Sequence, residues 1–334
     1  MPLRSILAPQ NIFPADNFNF VSPDVAPDLK RRATAILESP GFDAALRAMA
    51  GRFSKAFAGS IFLSKIASED ARQLLIGCMA GLDLRRDIGN PDSGMTLGRV
   101  QEFSRRHGVS SPNRVAALMS LIYHSGFIEP ASEKPLDRRV RRFQPSARGR
   151  AAMREWVTTF LVALSDVGIC TAKDALPLAA DDDLMAAVLA TSVDLFFDGY
   201  HLLNAIPAIR VFTSKDVGYE AMLRLWAQLD PALTVDGQLM EIPYVRLAGD
   251  LGVSRAHIRR LIETAMSEGH MSHAGGNGRR VVVHQSFTVL MRQYSAFLLA
   301  LYDLATERAL IEVAQMHQDR AARRGTPPHP STKR

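Results

Sequence analysis

Residues 109–126 read VSSPNRVAALMSLIYHSG, and residues 253–269 read VSRAHIRRLIETAMSEG. With one extra residue near the start of the first stretch, Ser111 falls on Ser254, Val115 on Ile258, Leu118 on Leu261 and Gly126 on Gly269. Each stretch opens on a serine, a residue type that caps a helix by accepting from a free amide of the first turn. In the first stretch Pro112 follows, where a missing amide hydrogen costs nothing. Val115, Leu118 and Ile122 recur at helical spacing, as do Ile258, Leu261 and Ala265, so one face of each helix is meant for burial. Gly126 and Gly269 mark the stops.

The neighbourhoods repeat as well. A helix over 96–107 ends at Gly108, and one over 242–251 ends at Gly252; Phe103-Ser104 matches Leu247-Ala248, which puts a small residue where two helices must touch. Downstream of the first stretch come a short strand at 127–128, a loop over 132–137, a strand over 138–143 and a helix capped by Ser146 that runs to about residue 164. Downstream of the second come a strand over 270–273, a glycine-rich turn over 274–278, a strand over 279–284 and a helix from Ser286 to about residue 315. Helix, tight turn, helix and hairpin, written twice, predict a mainly α fold: two winged helix-turn-helix units in tandem, linked and flanked by long helices. The expected division is an extended arm over 1–28, a helical part of the first unit over 29–95, the first winged helix over 96–165, and a helical linker or second-unit part over 166–237. The second winged helix with its long helix follows over 238–316, and a disordered basic tail over 317–334.

Bulk properties bound the function. The chain has 334 residues, 47% hydrophobic and 22% charged, a globular composition sized for about two domains. Apolar runs around 158–170 and 184–197 are broken by Asp166 and Asp194, so no membrane partner is expected. The first residues do not read as a secretory leader, and two cysteines, Cys78 and Cys170, make no disulfide framework. The expected compartment is the cytoplasm. Charge is segregated: residues 96–156 hold 12 Lys and Arg against 5 Asp and Glu, residues 157–238 hold 4 against 11, and residues 239–292 hold 7 against 4. Basic character thus coincides with the repeated motif, as expected of a polyanion binder.

Outward positions of the two second helices carry the candidate contacts. These are Ser111, Asn113 and Arg114 in the first copy, and Ser254, Arg255, His257, Arg259 and Arg260 in the second. Such side chains donate to base edges or phosphates in a major groove, and the helix N-terminus favours a phosphate. The hairpin DRRVRRF, 137–143, holds four arginines, with Arg138 and Arg142 on one strand face and Arg139 and Arg141 on the other. A strand charged on both faces is expected to project as a wing, whose arginines suit a narrow minor groove. Arg279 and Arg280 take that place in the shorter second wing. Arg99, Arg105, Arg106, Arg148 and Arg150 are the expected phosphate contacts.

The stretch GFIEPASEKPLDRRVRRFQPSARGRAAM, 126–153, resembles the wing of MarR-type transcription regulators. Asp137 and Arg139 match that family's Asp-x-Arg, Pro145-Ser146 stands for its Leu-Thr, and Gly149 matches its glycine. The resemblance covers about residues 96–160; the second copy lacks Asp-x-Arg. It implies that Asp137 orients Arg139 into a minor groove. It also implies a pseudo-dimer, since a family protein is about half this length and normally dimerises. The resulting expectation is a sequence-specific regulator that binds double-stranded DNA, with a small-molecule effector and homodimerisation as further partners. A replication initiator with two winged helices and a winged-helix protein-interaction module are the alternatives.

Other clusters read as structural. His270 and His273 are three apart on a strand, pointing to opposite faces, so with His284 they make poor metal ligands. Asp181-Asp182-Asp183 fits a helix start better than a metal site. Phe212 and Trp226 fit helical core better than an effector pocket. No nucleotide-cradling or nucleophile motif is present. No catalysis, metal or cofactor is expected.

Overall fold

A computed structural model describes residues 19–58, 70–87, 89–90, 93–131, 141–230, 237–275 and 279–325. Within them the chain is mainly helical, with two small antiparallel sheets of three strands each. In order come α1 (Pro27–Leu37), α2 (Phe42–Ala58), α3 (Asp70–Leu84), β1 (Met95–Thr96), α4 (Leu97–His107), α5 (Pro112–His124), β2 (Ile128–Pro130) and β3 (Arg142–Pro145). Then follow α6 (Ala147–Asp166), α7 (Cys170–Ala175), α8 (Asp182–Phe197), α9 (Leu202–Ala205), α10 (Arg210–Thr213) and α11 (Gly218–Trp226). The chain continues with β4 (Gln238–Glu241), α12 (Tyr244–Leu251), α13 (Arg255–Ser267), β5 (Met271–His273), β6 (Arg280–Val283) and α14 (Gln285–Gly325).

Contacts divide the chain into two units that are not sequential. One joins the residues up to Gln73 with Tyr200–Ala300; it contains Ser254 and is called the Ser254 unit. The other joins Leu74–Gly199 with the residues from Leu301 onward and is called the Ser111 unit. The contact-based grouping thus differs from the sequential one expected over 29–95: α1 and α2 group with the second copy of the motif rather than the first. Long-range packing decides this. In α2, Arg47 lays its guanidinium over the Trp226 ring at 4.7 Å and donates to the Ala227 carbonyl at 2.6 Å. Near α1, the Tyr200 hydroxyl donates to Asp28 at 2.9 Å, and from α14 Arg292 pairs with Asp43 of α2 at 2.9 Å. Trp226, Phe42, Phe212 and Phe287 fill this core, so Trp226 and Phe212 are packing residues.

The Ser111 unit is built around α8. Leu184, Met185, Ala187, Val188 and Leu195 are all buried, which leaves that helix almost no polar side. The segment read as a linker is therefore a central core helix. Its start is capped by Asp181, whose carboxylate accepts from the amides of Asp183 and Leu184. It stops at Phe197, and Gly199 then turns the chain with φ 101. Arg85 ties α3 to α8 and α14 through Asp194 at 2.8 Å and Glu312 at 2.7 Å. Beside them Phe160 stacks on Tyr302 at 3.7 Å, and the Trp156 indole donates to the Tyr302 hydroxyl at 2.7 Å.

The C-terminal segment departs from expectation. Over 317–325 it is helical rather than disordered, and 326–334 lie outside the described residues. His317 lies 3.6 Å from Asp183, and Arg320 pairs with the same carboxylate, so the acidic start of α8 holds the last turns. The arm over 1–28 falls largely outside the described residues. Its end is pinned: the Phe20 amide donates to Gln293 at 3.0 Å and the Ser22 amide to the Ala205 carbonyl at 2.8 Å.

Candidate nucleic-acid interface

Each unit carries one copy of the repeated motif, and the copies share their strand order, their turn bonds and the serine caps of their second helices. In the Ser111 unit the order is β1, α4, α5, β2, β3, with β3 central in the sheet; in the Ser254 unit it is β4, α12, α13, β5, β6, with β6 central. Met95 faces Phe143 across one sheet as Met240 faces Val281 across the other. The two short outer strands, β1 and β4, were not read from the sequence; two to four residues beside a helix show no alternation to detect.

Both first helices end on a glycine in the left-handed region, Gly108 at φ 64 and Gly252 at φ 65, where a side chain would be strained. The next amide folds back identically: Val109 donates to the Ser104 carbonyl and Val253 to the Ala248 carbonyl, each at 3.0 Å. Ser104 and Ala248 are buried, as the need for small residues there implied, and the Ser104 hydroxyl also bridges to the Ser110 carbonyl at 2.8 Å. Ser111 caps α5 by accepting from Arg114, and Ser254 caps α13 by accepting from His257. The inward faces match: Val115 with Ile258, Leu118 with Leu261, Met119 with Ile262, and Ile122 with Ala265, all buried.

Those inward faces fix what points out. On α5 the exposed positions include Asn113, Arg114, Ala117 and Leu121; on α13 they include Arg255, Arg259 and Arg260. Leu121 was missed, although the spacing of the buried set already places it on the other side. Ser111 and Ser254 are exposed but spend their hydroxyls as caps. His257 is not free to reach a base: its Nε2 donates to the Asp216 carbonyl at 2.8 Å, which holds the imidazole against the loop before α11. Arg259 pairs with Glu263 at 3.4 Å on the surface, an interaction weak enough to give way to a ligand.

The two hairpins are described in part. Asp137, Arg138 and Arg139 lie outside the described residues. Arg141 is exposed, its guanidinium 4.8 Å from the Tyr123 ring centroid and 5.1 Å from that of Phe143. Arg142 corrects the expectation of arginines on both solvent faces. It is only 5% exposed, its chain packed near Gly94, and its charge is felt by Asp83. The strand begins at Arg142, paired with Thr96 of β1, and that third strand turns the side chain inward. Its counterpart Arg280 is exposed, as is Arg279. Of the expected phosphate contacts, Arg106 is exposed, and Arg99, also exposed, donates to the Gly94 carbonyl at 3.3 Å. Arg105 is paired with Glu102 at 2.7 Å, Arg148 donates to the Ser125 carbonyl at 2.9 Å, and Arg150 is turned toward Asp182 at 3.3 Å.

One pair of equivalent positions differs in a titratable group. Phe127 and His270 each donate their amide back to the last turn of the second helix, to Ile122 and Ala265, and both side chains are buried. Phe20 and Phe212 surround the His270 ring, and burial pulls its imidazole down from 6.5 to about 4. The unfolded chain then takes up that proton first as pH falls. Stability contributed by neutral His270 is lost between about pH 6.5 and pH 4, on the order of 3 kcal/mol in all. His270→Phe, which copies the Phe127 position, is expected to remove that loss. Glu220 works the opposite way, because burial pushes its carboxyl from 4.5 up to about 7. The check is therefore the difference between wild-type and variant urea-unfolding curves from pH 4 to 7; parallel curves would refute the assignment.

Asp181, Asp183 and His317 place ligand-type atoms close together, but Asp181 is engaged as a cap and Asp183 pairs with Arg320. Among the described residues no helix is long and apolar enough to cross a membrane. The chain matches no family model, no curated protein and no solved structure.

Proposed function

We propose that this chain is a sequence-specific duplex-DNA-binding regulator of transcription, with a winged helix in each unit acting as two halves of a pseudo-dimer. The observation that carries this reading is the repeat itself. Two helix–turn–helix–hairpin modules share their caps, turn bonds and buried stripe, and each presents an arginine-bearing second helix to solvent. A helix with a buried inner stripe and a polar outer face, followed by a basic hairpin, is how such modules enter a major groove and touch the adjoining minor groove. The basic segments over 96–156 and 239–292 coincide with these modules, which fits a polyanionic partner. The resemblance of residues 126–153 to MarR-type wings assigns Arg139 to the minor groove. The reading is of a binding protein, not an enzyme.

The test is duplex affinity in variants. Arg114→Ala and Arg255→Ala change exposed side chains and are each expected to weaken binding by about 1–3 kcal/mol, with Arg139→Ala weakening it by a similar amount. Unchanged affinity in all three, with unfolding unaltered, would overturn the reading. A preference for tandem direct repeats would favour an initiator of replication instead.

A further inference from the structure

The two second helices share an inward face and share almost nothing outward. With the buried stripe and the serine caps in register, position follows position without ambiguity. Asn113 then stands where α13 has Ala256, Arg114 where it has His257, and Ala117 where it has Arg260. The first residue of the helix is Pro112 in one and Arg255 in the other. The side chains also differ in commitment. Asn113 and Arg114 are exposed on α5, whereas His257 is held by the Asp216 carbonyl, leaving α13 to present Arg255 and Arg260.

Base edges answer these groups differently. An asparagine amide matches the adenine N6/N7 pair and an alanine methyl packs on a thymine methyl, while an arginine fork matches guanine O6/N7. From this juxtaposition we infer that the two units read different base sequences: α5 a half-site with an adenine for Asn113 beside the base that Arg114 meets, and α13 a half-site with guanines for Arg255 and Arg260. The target is then an asymmetric duplex, not the inverted repeat that a dimer of identical subunits would select. This inference rests on the DNA-binding reading above.

The experiment is selection of the full chain on a randomised duplex pool, with sequencing of the bound fraction for three proteins: wild type, Asn113→Ala, and Arg255→Ala combined with Arg260→Ala. The expected wild-type motif has two dissimilar blocks. Asn113→Ala is expected to lose about tenfold of preference in the A-containing block only, and the arginine variant a similar amount in the G-containing block only. Two identical blocks in either orientation, a single block, or both variants flattening the same block would overturn the inference and leave DNA binding standing. Failure of the wild type to enrich any sequence, with retention indifferent to salt, would overturn the DNA reading itself. The wild-type motif alone separates these outcomes should a variant fold poorly.

Discussion

Gly149→Ala is expected to destabilise the Ser111 unit by about 3 kcal/mol, at the upper end of what overpacking costs. A Cβ at Gly149 would lie 2.0 Å from the Phe127 carbonyl oxygen and 3.1 Å from its carbon. Neither atom belongs to a flexible side chain that swings away. That carbonyl accepts from the Ser146 amide at 3.0 Å, and the Ser146 hydroxyl accepts from the Gly149 amide while donating to the Gly126 carbonyl at 2.6 Å. The added methyl therefore pushes apart the joint where the hairpin, the end of α5 and the start of α6 meet. The same joint recurs in the Ser254 unit, where the Ser286 hydroxyl donates to the Gly269 carbonyl at 3.2 Å. Calorimetry should show the unfolding temperature falling by about 6–12 °C. Gly98→Ala is the control in the same unit: nothing lies within 4 Å of its Cβ position, so no comparable loss is expected. Equal stability of Gly149→Ala and wild type would mean that α6 does not start against the Phe127 backbone.

Arg224→Ala is expected to cost about 3–5 kcal/mol in the Ser254 unit, because it strands a buried carboxylate. Arg224 is 9% exposed and pairs with Glu220 one turn back on α11 at 2.6 Å, with Asp250 of α12 at 4.0 Å. Burial already pushes the Glu220 carboxyl up to about 7 with the guanidinium in place. Without that partner the charged form is further disfavoured, so the loss should be largest near pH 8 and smaller near pH 5, where a neutral carboxyl is reached. The combination Glu220→Gln with Arg224→Met should recover most of the stability, since a buried ion pair is commonly replaceable by matched neutral groups. Urea unfolding of the three proteins at both pH values checks this. A single variant as stable as wild type at pH 8 would refute the pairing.

What could be read from the sequence was local chemistry. The Ser111, Ser146 and Ser254 caps, the turns at Gly108 and Gly252 and the inward stripes of α5 and α13 are each set by a few adjacent residues. What could not be read depends on distant partners. Arg47 finds Trp226 across 179 positions of chain, so the grouping of α2 with α11 has no local signature. Arg142 alternates like a solvent-facing residue, yet the unforeseen β1 strand covers it. His257 sits on an outward position of α13, yet a loop 41 residues earlier takes its ring nitrogen. Residues 317–325 are polar enough to stay unfolded alone, but the carboxylates at the start of α8 hold His317 and Arg320 and with them the helix. The outward arginines of α13 were legible because Arg255 and Arg260 fall off the buried stripe of Ile258, Leu261 and Ala265 and are exposed.

The measurement that tests the central claim most directly is the salt dependence of duplex binding by the full chain. If the two basic modules each grip a stretch of phosphate backbone, log affinity should fall linearly with log salt. A slope of about −4 or steeper is expected, the counterion release of roughly five phosphates. Affinity that is absent, or that stays level from about 50 to about 200 mM salt, would contradict a DNA-binding role for both modules.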